Sequence, residues 1–267
     1  MKTKKSLGQN FLRDEKILRK IADFAQIEKG DTVVEVGPGE GTLTKFILEK
    51  AGKVIAIEKD ESLAEKLKER FKEVKKERLE IIVGDILAYN LKTKNHHLVG
   101  NIPYYITGEI FRKFLESENQ PKSLTFVVQK EVAERIIARD GKESILSISI
   151  KAYGTPDYGG VIKAGSFVPR PKVDSAIISI RNIGKERFKG LTPLVPLTLR
   201  GRQEKNTAEK EFFQILRTGF AHKRKLLIRN LNVSKDIFIK AGIGDKARAE
   251  DLKVEDWFSI AKSFHHK

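Results

Sequence analysis

The chain has 267 residues, a formal net charge of +16 and no cysteine, which excludes a disulfide scaffold, a thiolate metal site and a cysteine nucleophile and fits a reducing, cytoplasmic setting. Hydrophobic residues at 40% suffice for a core, and no apolar run approaches the roughly 18 residues of a membrane span. Residues 181–267 carry 20 basic and 10 acidic side chains against 32 and 26 in residues 1–180, so the last third is the more basic part and favours a polyanionic partner over a merely charge-rich surface.

In chain order, Ile17, Leu18, Ile21, Phe24 and Ala25 share one face of a helix over 14–25. Thr32–Val36 is a short apolar run that stops at glycines, as a buried strand does. A helix over 42–50 and a strand over 53–58 follow. Leu63, Leu67, Phe71 and Val74 mark a third helix. Leu79–Val83 is a strand stopped at Gly84-Asp85, Leu98–Gly100 a shorter one stopped at Asn101-Ile102-Pro103, and Leu124–Val128 a fifth, with a helix over 131–138 behind it. Strands alternating with helices predict an α/β, doubly wound, mostly parallel sheet. Ile145–Tyr153 and Ser175–Arg181 read as two antiparallel strands that close one edge. Residues 183–206, with their scattered glycines and prolines, read as a junction. Beyond it, Phe212, Phe213, Leu216 and Phe220, then Leu226, Leu227 and Leu231, then Trp257, Phe258, Ala261 and Phe264 form helical stripes. The expected division is an α/β domain over 1–182 and a small all-α C-terminal domain over 207–267. His96, His97, His265 and His266 read as exposed loop and tail residues without ligand spacing, so no metal site is expected.

Gly37-Pro38-Gly39-Glu40-Gly41 follows the first of these strands and precedes a helix. Its spacing is not the dinucleotide fingerprint, whose third glycine falls where Thr42 stands, and the Lys-Ser/Thr of a phosphate-binding loop is missing. Glu58 ends the next strand, where a carboxylate can accept from both hydroxyls of a ribose. Asp85 follows the third and can accept from an adenine amino group. All three features fall at carboxyl ends of strands, where open α/β sheets bind ligands. They describe an adenosine that carries something other than a pyrophosphate, and S-adenosylmethionine fits. A helix-capping Asp85 and a solvated Glu58 are the competing explanations.

The fourth strand ends in Asn101-Ile102-Pro103-Tyr104. Pro103 offers no N–H and holds Ile102 extended, so the Ile102 carbonyl and the Asn101 side-chain oxygen can converge on one exocyclic amine, with Tyr104 as a flat face for stacking. An adenine N6 is a poor nucleophile because its lone pair is delocalised into the ring. Two acceptors gripping its hydrogens favour a pyramidal nitrogen, so positioning and electrostatics would carry the catalysis. The plain alternative is an Asx-Pro turn beside a core tyrosine.

Taken together, Asn-Ile-Pro-Tyr, Glu35-Val36-Gly37-Pro38-Gly39, Gln9-Asn10-Phe11-Leu12, Val128–Val132, Phe167–Ala176 and, in the tail, Lys223-Arg224-Lys225 with Arg229-Asn230-Leu231 and Arg248-Ala249-Glu250 resemble the small-subunit (16S) ribosomal RNA adenine N6-dimethyltransferases from about residue 4 to the end of the chain. The resemblance implies a Rossmann-like class I methyltransferase sheet. It implies transfer of two methyl groups from S-adenosylmethionine to each of two adjacent adenines in the 3′-terminal hairpin of small-subunit rRNA, and a role in assembling an immature small ribosomal subunit. It implies that Asn10, Leu12, Gly37, Gly39, Glu58, Asp85 and Asn101 hold the cofactor, that Asn101, Ile102, Pro103 and Tyr104 hold the target adenine, and that Phe167 stacks on its other face. Arg170 and Lys172 beside Phe167, with Lys223, Arg224, Lys225 and Arg229 in the basic tail, are the RNA-backbone candidates. A solvated helix end is the competing explanation of the tail cluster. The chain is expected to act as a monomer away from membranes. Two other functions compete: large-subunit rRNA methylation that confers antibiotic resistance, which also uses Asn-Ile-Pro-Tyr, and a non-enzymatic RNA-binding assembly factor.

Overall fold

The computed structural model describes residues 10–191, 208–222 and 224–264. The chain forms two compact units, one running to Ala133 and including Gly154–Ile183, the other made of Glu134–Tyr153 and the chain from Gly184 onward. The first unit holds β1 (Phe11–Leu12), α1 (Glu15–Phe24), β2 (Thr32–Val36), α2 (Thr42–Lys50), β3 (Lys53–Glu58), α3 (Glu61–Arg70), β4 (Leu79–Val83), β5 (His96–Asn101), α4 (Thr107–Leu115), β6 (Ser123–Gln129), the start of α5 (Lys130–Ile137), β7 (Thr155–Ile162), β8 (Phe167–Val168) and β9 (Ser175–Arg181). The second holds α6 (Ile145–Lys151), α7 (Ala208–Gly219), α8 (Leu227–Leu231), α9 (Lys235–Lys240) and α10 (Val254–Ser263).

Seven strands form one sheet in the order β4-β3-β2-β5-β6-β9-β7. The five from β4 to β6 are parallel, and β9 and β7 close the edge antiparallel. The central strands are apolar because helices cover both of their faces. Val33, Val34, Val54, Ala56, Leu98, Val99, Phe126 and Val127 are all fully buried. Strand order reverses between β2 and β5, which opens a crevice at their carboxyl ends. Gly100 lets those two strands close up there, since a Cβ on it would lie 2.5 Å from the Val36 carbonyl oxygen.

Three expectations change. Residues 145–153 are not a strand: Ser144 and Ser147 form a reciprocal capping box, with Ser147 N–H donating to Ser144 Oγ at 3.1 Å and Ser144 N–H donating to Ser147 Oγ at 2.7 Å. The Ile-Ser alternation that suggests period two therefore lies on α6, which belongs to the second unit. The antiparallel partner of β9 is β7 instead. Its Pro156 and Gly159-Gly160 obscure a strand in the sequence, but proline is tolerated on an edge strand and the glycines accompany a register shift. His96 and His97 are buried, not exposed. β5 starts two residues earlier than its apolar run, in the middle of the sheet. His97 Nδ1 meets Ser123 Oγ at 2.7 Å and its Nε2 lies 3.2 Å from Asp31. Burial pushes the His96 imidazole down to about 4. His265 and His266 lie outside the described residues, as do residues 192–206 of the junction.

In the second unit, Phe212 and Leu216 of α7 and Trp257 and Phe258 of α10 are buried. Phe212 stacks on Phe258 with centroids 4.4 Å apart, and Phe220 on Trp257 at 5.4 Å, so the aromatic stripes form that unit's core. Among the described residues no helix is long and apolar enough to cross a membrane, and no group of three or more His, Cys, Asp or Glu is placed to hold a metal ion.

Candidate active site

A cavity of about 230 Å³ opens at the carboxyl ends of β2, β3, β4 and β5 and is lined entirely by residues of the first unit. Asn10, Leu12, Gly37, Gly39, Glu58, Asp85, Asn101, Ile102, Pro103 and Tyr104 all line it, although they come from segments up to 94 residues apart in the chain.

The glycine loop forms one wall. Gly39 has φ of +58°, a left-handed conformation that strains any residue with a Cβ, and a Cβ there would also lie 2.9 Å from the Phe11 ring. Segment 10–13 is fastened at three places, two at the glycine loop and the start of α2 and one at the end of β5. Thr42 Oγ1 donates to the Leu12 carbonyl at 2.9 Å, Arg13 makes a two-pronged pair with Glu40 at 2.8 and 3.1 Å, and Asn101 Nδ2 donates to the Asn10 carbonyl at 2.8 Å. The last bond fixes the Asn101 amide. Only its NH₂ can face a carbonyl, so Oδ1 is turned the other way as an acceptor.

Glu58 is buried, and each of its oxygens accepts one backbone N–H, Gly39 at 3.0 Å and Asp60 at 2.9 Å. Each oxygen keeps acceptor capacity for a ligand hydroxyl. Burial raises the Glu58 carboxyl above its ordinary range, and the backbone bonds work against that rise. Asp85 does cap a turn, accepting from Leu87 N–H at 2.9 Å, and still lines the cavity. Its other oxygen pairs with Lys59 at 2.7 Å, and this bond holds the Asp85 carboxyl below the usual carboxylate range.

Tyr104 is braced at both ends. Its hydroxyl meets Ser175 Oγ at 2.7 Å, and its carbonyl accepts from Thr107 Oγ1 at 3.0 Å. Phe167 is not among the residues lining the cavity. It sits opposite Leu12 in the β1–β8 ladder, 2% exposed, within the hydrophobic core. Arg170 and Lys172 are exposed on the loop between β8 and β9. Arg224, Lys225 and Arg229 are exposed around the start of α8, and Lys223 lies outside the described residues.

Three charged residues that line the cavity, Lys59, Glu35 and Glu109, are assigned no role by the motifs. Lys59 stands next to Glu58, and only the fold brings it to Asp85. Glu35, in the strand before the glycines, is fully buried at the cavity with Oε2 unpartnered. Burial above all, with the Glu58 charge adding to it, pushes the Glu35 carboxyl up to about 8. A charged residue inside an otherwise apolar strand was the available signal for it. The residues fit an adenosine bearing a cationic side arm, with carboxylates for its hydroxyls and amine, a positive-φ loop against which a ligand can lie, and an orphaned buried acidic oxygen.

A family model described as ribosomal RNA adenine dimethylase matches residues 1–266. The ribosomal RNA small subunit methyltransferase A of Dehalococcoides mccartyi is 38% identical over 278 residues, covering 99% of this chain and 89% of its own. The protein of the same name in Fusobacterium nucleatum is 33% identical, covering 98% of each chain. Among solved structures, the 23S rRNA methyltransferase ErmE matches with a TM-score of 0.76 at 26% identity, over 96% of this chain and 100% of its own. A dimethyladenosine transferase from Plasmodium falciparum matches with a TM-score of 0.77 at 25% identity, over 94% and 95%. Cavity, sheet order and near full-length similarity agree: the chain belongs to the ribosomal RNA adenine dimethylase family.

Proposed function

We propose that this methyltransferase moves methyl groups from S-adenosylmethionine to the N6 atoms of two adjacent adenines in the 3′-terminal hairpin of small-subunit rRNA, on an immature small subunit. The observation that carries the reading is the Asn101 amide. Its nitrogen is committed to the Asn10 carbonyl, so its oxygen is a fixed acceptor in the same cavity as Glu58 and Asp85.

S-adenosylmethionine supplies an electrophilic methyl group on a sulfonium. Glu58 accepts its ribose hydroxyls, Asp85 accepts its adenine amine, and the glycine loop with Asn10 and Leu12 encloses the rest. The target base leaves its stack to enter the site. Asn101 Oδ1 and the Ile102 carbonyl accept its two N6 hydrogens, and Tyr104 stacks on the ring in an orientation that Ser175 and Thr107 hold. No strong base is required before attack, because the product cation loses its proton readily. A stacking role for Phe167 requires a rearrangement around it, since its side chain is buried and does not line the cavity. Arg170, Lys172, Lys223, Arg224, Lys225 and Arg229 are assigned to RNA phosphates. Domain limits of 1–182 and 207–267 for the catalytic and RNA-binding parts need one adjustment, because residues 134–153 cluster with the tail.

The match to ErmE favours a second reading, methylation of large-subunit rRNA. The more similar small-subunit relatives favour the first. Incubation with undermodified small subunits and, separately, with large-subunit rRNA, followed by mapping of methylated adenines, decides between them. Asn101→Ala is expected to abolish transfer while RNA binding persists. Transfer by that variant at the wild-type rate would remove the assignment.

A further inference from the structure

α4 begins two residues beyond the Asn-Ile-Pro-Tyr segment and buries Ile110, Phe111, Phe114 and Leu115. Lys113 flanks that apolar face, beside Ile110. A lysine there ordinarily turns its ammonium to water, but this one turns inward. Its Nζ donates to the carbonyls of Ile86 at 2.9 Å, Leu87 at 2.8 Å and Tyr89 at 2.7 Å. An ammonium has three donors, and all three are used on main-chain oxygens of one short turn.

That turn follows β4 and carries Asp85, Ile86 and Leu87, which line the cavity. Its own bonds run from Ala88 N–H and Tyr89 N–H to the Asp85 carbonyl, at 2.9 and 2.8 Å. The Asp85 carboxylate closes its start by accepting from Leu87 N–H. Lys113 collects the carbonyls at its end, where a cation is favoured. The arrangement costs the lysine part of its hydration, and burial lowers its pKa accordingly.

We propose that Lys113 is a positioning residue for the adenine end of the cofactor site: by gripping three carbonyls of the 84–89 turn it sets where Asp85, Ile86 and Leu87 stand, and it ties that turn to the helix that follows the target-adenine tetrapeptide. The inference rests on the assignment of the cavity to S-adenosylmethionine. Without the ammonium, three carbonyls compete for water and the turn relaxes. The glycine loop and Glu58, held by bonds of their own, stay in place.

The test is titration calorimetry of the full chain with S-adenosylmethionine and, separately, with adenosine. Lys113→Met keeps the side-chain length and removes every donor. It is expected to weaken both ligands by a similar factor of about ten, because both use the adenine wall. In methyl transfer to undermodified small subunits, KM for S-adenosylmethionine is expected to rise by that factor while kcat changes less than about threefold. In an Asp85→Ala background the same substitution is expected to cost less than about threefold, because both residues act through one turn. Lys113→Gln keeps two donors and should fall between wild type and Lys113→Met; it carries the test if the methionine variant does not fold. Unchanged affinity for both ligands in a folded variant overturns the proposal, as does an equal loss with and without Asp85. If the wild-type chain binds neither ligand, the cofactor assignment itself falls and the proposal goes with it.

Discussion

Two neighbouring glutamates at the glycine loop do different work because their environments differ. Glu58 is tied to two backbone N–H groups and has acceptor capacity left over. Glu58→Ala removes the ribose acceptors, and leaving such groups unpaired costs roughly 1–3 kcal/mol. S-adenosylmethionine affinity is therefore expected to fall about tenfold or more, with rRNA affinity nearly unchanged; unaltered affinity in calorimetry removes Glu58 from the site. Glu35 has an orphaned oxygen and a carboxyl pushed from 4.5 up to about 8. The unfolded chain loses this proton near the ordinary value while the folded chain keeps it. The contribution to stability is thus complete below about 4.5 and is lost as pH rises through about 8. One such proton sets a ceiling of about 1.4 kcal/mol per pH unit on the decline. Glu35→Gln, neutral at every pH, is expected to gain on wild type in urea midpoint from pH 5 to pH 9. Parallel curves for the two proteins would show that Glu35 is ionised when folded.

At the level of elements, the site depends on how closely β5 approaches β2. Gly100→Ala sets a methyl against the Val36 carbonyl, a backbone atom that cannot swing aside. The expected cost is about 1–3 kcal/mol in urea unfolding, with a larger proportional loss of methyl transfer because Asn101 is the next residue. Equal stability and activity in the alanine variant would show that the strands can part without consequence. The parallel strands and α2 were legible because buried parallel strands are unbroken apolar runs that stop at glycine or asparagine, as Thr32–Val36 does at Gly37. The cavity was legible because its polar residues sit at those stops. α4 is not among the expected elements although Ile110, Phe111, Phe114 and Leu115 have helical spacing, because the helix is only nine residues long and holds Gly108 in its first turn. α6 differs from the expected strand because alternating isoleucine and serine satisfy period two, and only the Ser144–Ser147 cap shows that a helix starts there. The Lys59–Asp85 pair and the Lys113 grip are contacts across 26 and 24–27 residues, and no local pattern encodes them.

For the whole molecule, the charge excess of +16 is weighted toward the tail, while the cavity is lined by the first unit alone. If the tail cations hold RNA as proposed, chemistry and RNA attachment are separable by mutation. Arg224, Lys225 and Arg229 are exposed and have no carboxylate partner among the described residues, unlike Arg13 or Lys59, whose charges are already matched. Unmatched cations are the ones free to displace counterions from phosphates, and each such contact contributes about 0.7–0.9 to the log–log salt slope of binding. Reversing all three to glutamate is expected to weaken binding to small-subunit rRNA and to flatten that slope by about two units or more. S-adenosylmethionine affinity should stay at its wild-type value. Filter binding across a salt series, alongside calorimetry with the cofactor, reads both quantities. A slope equal to wild type would move the RNA-backbone contacts off this face and leave Arg170 and Lys172, on the loop beside Phe167, as the cations to reverse next.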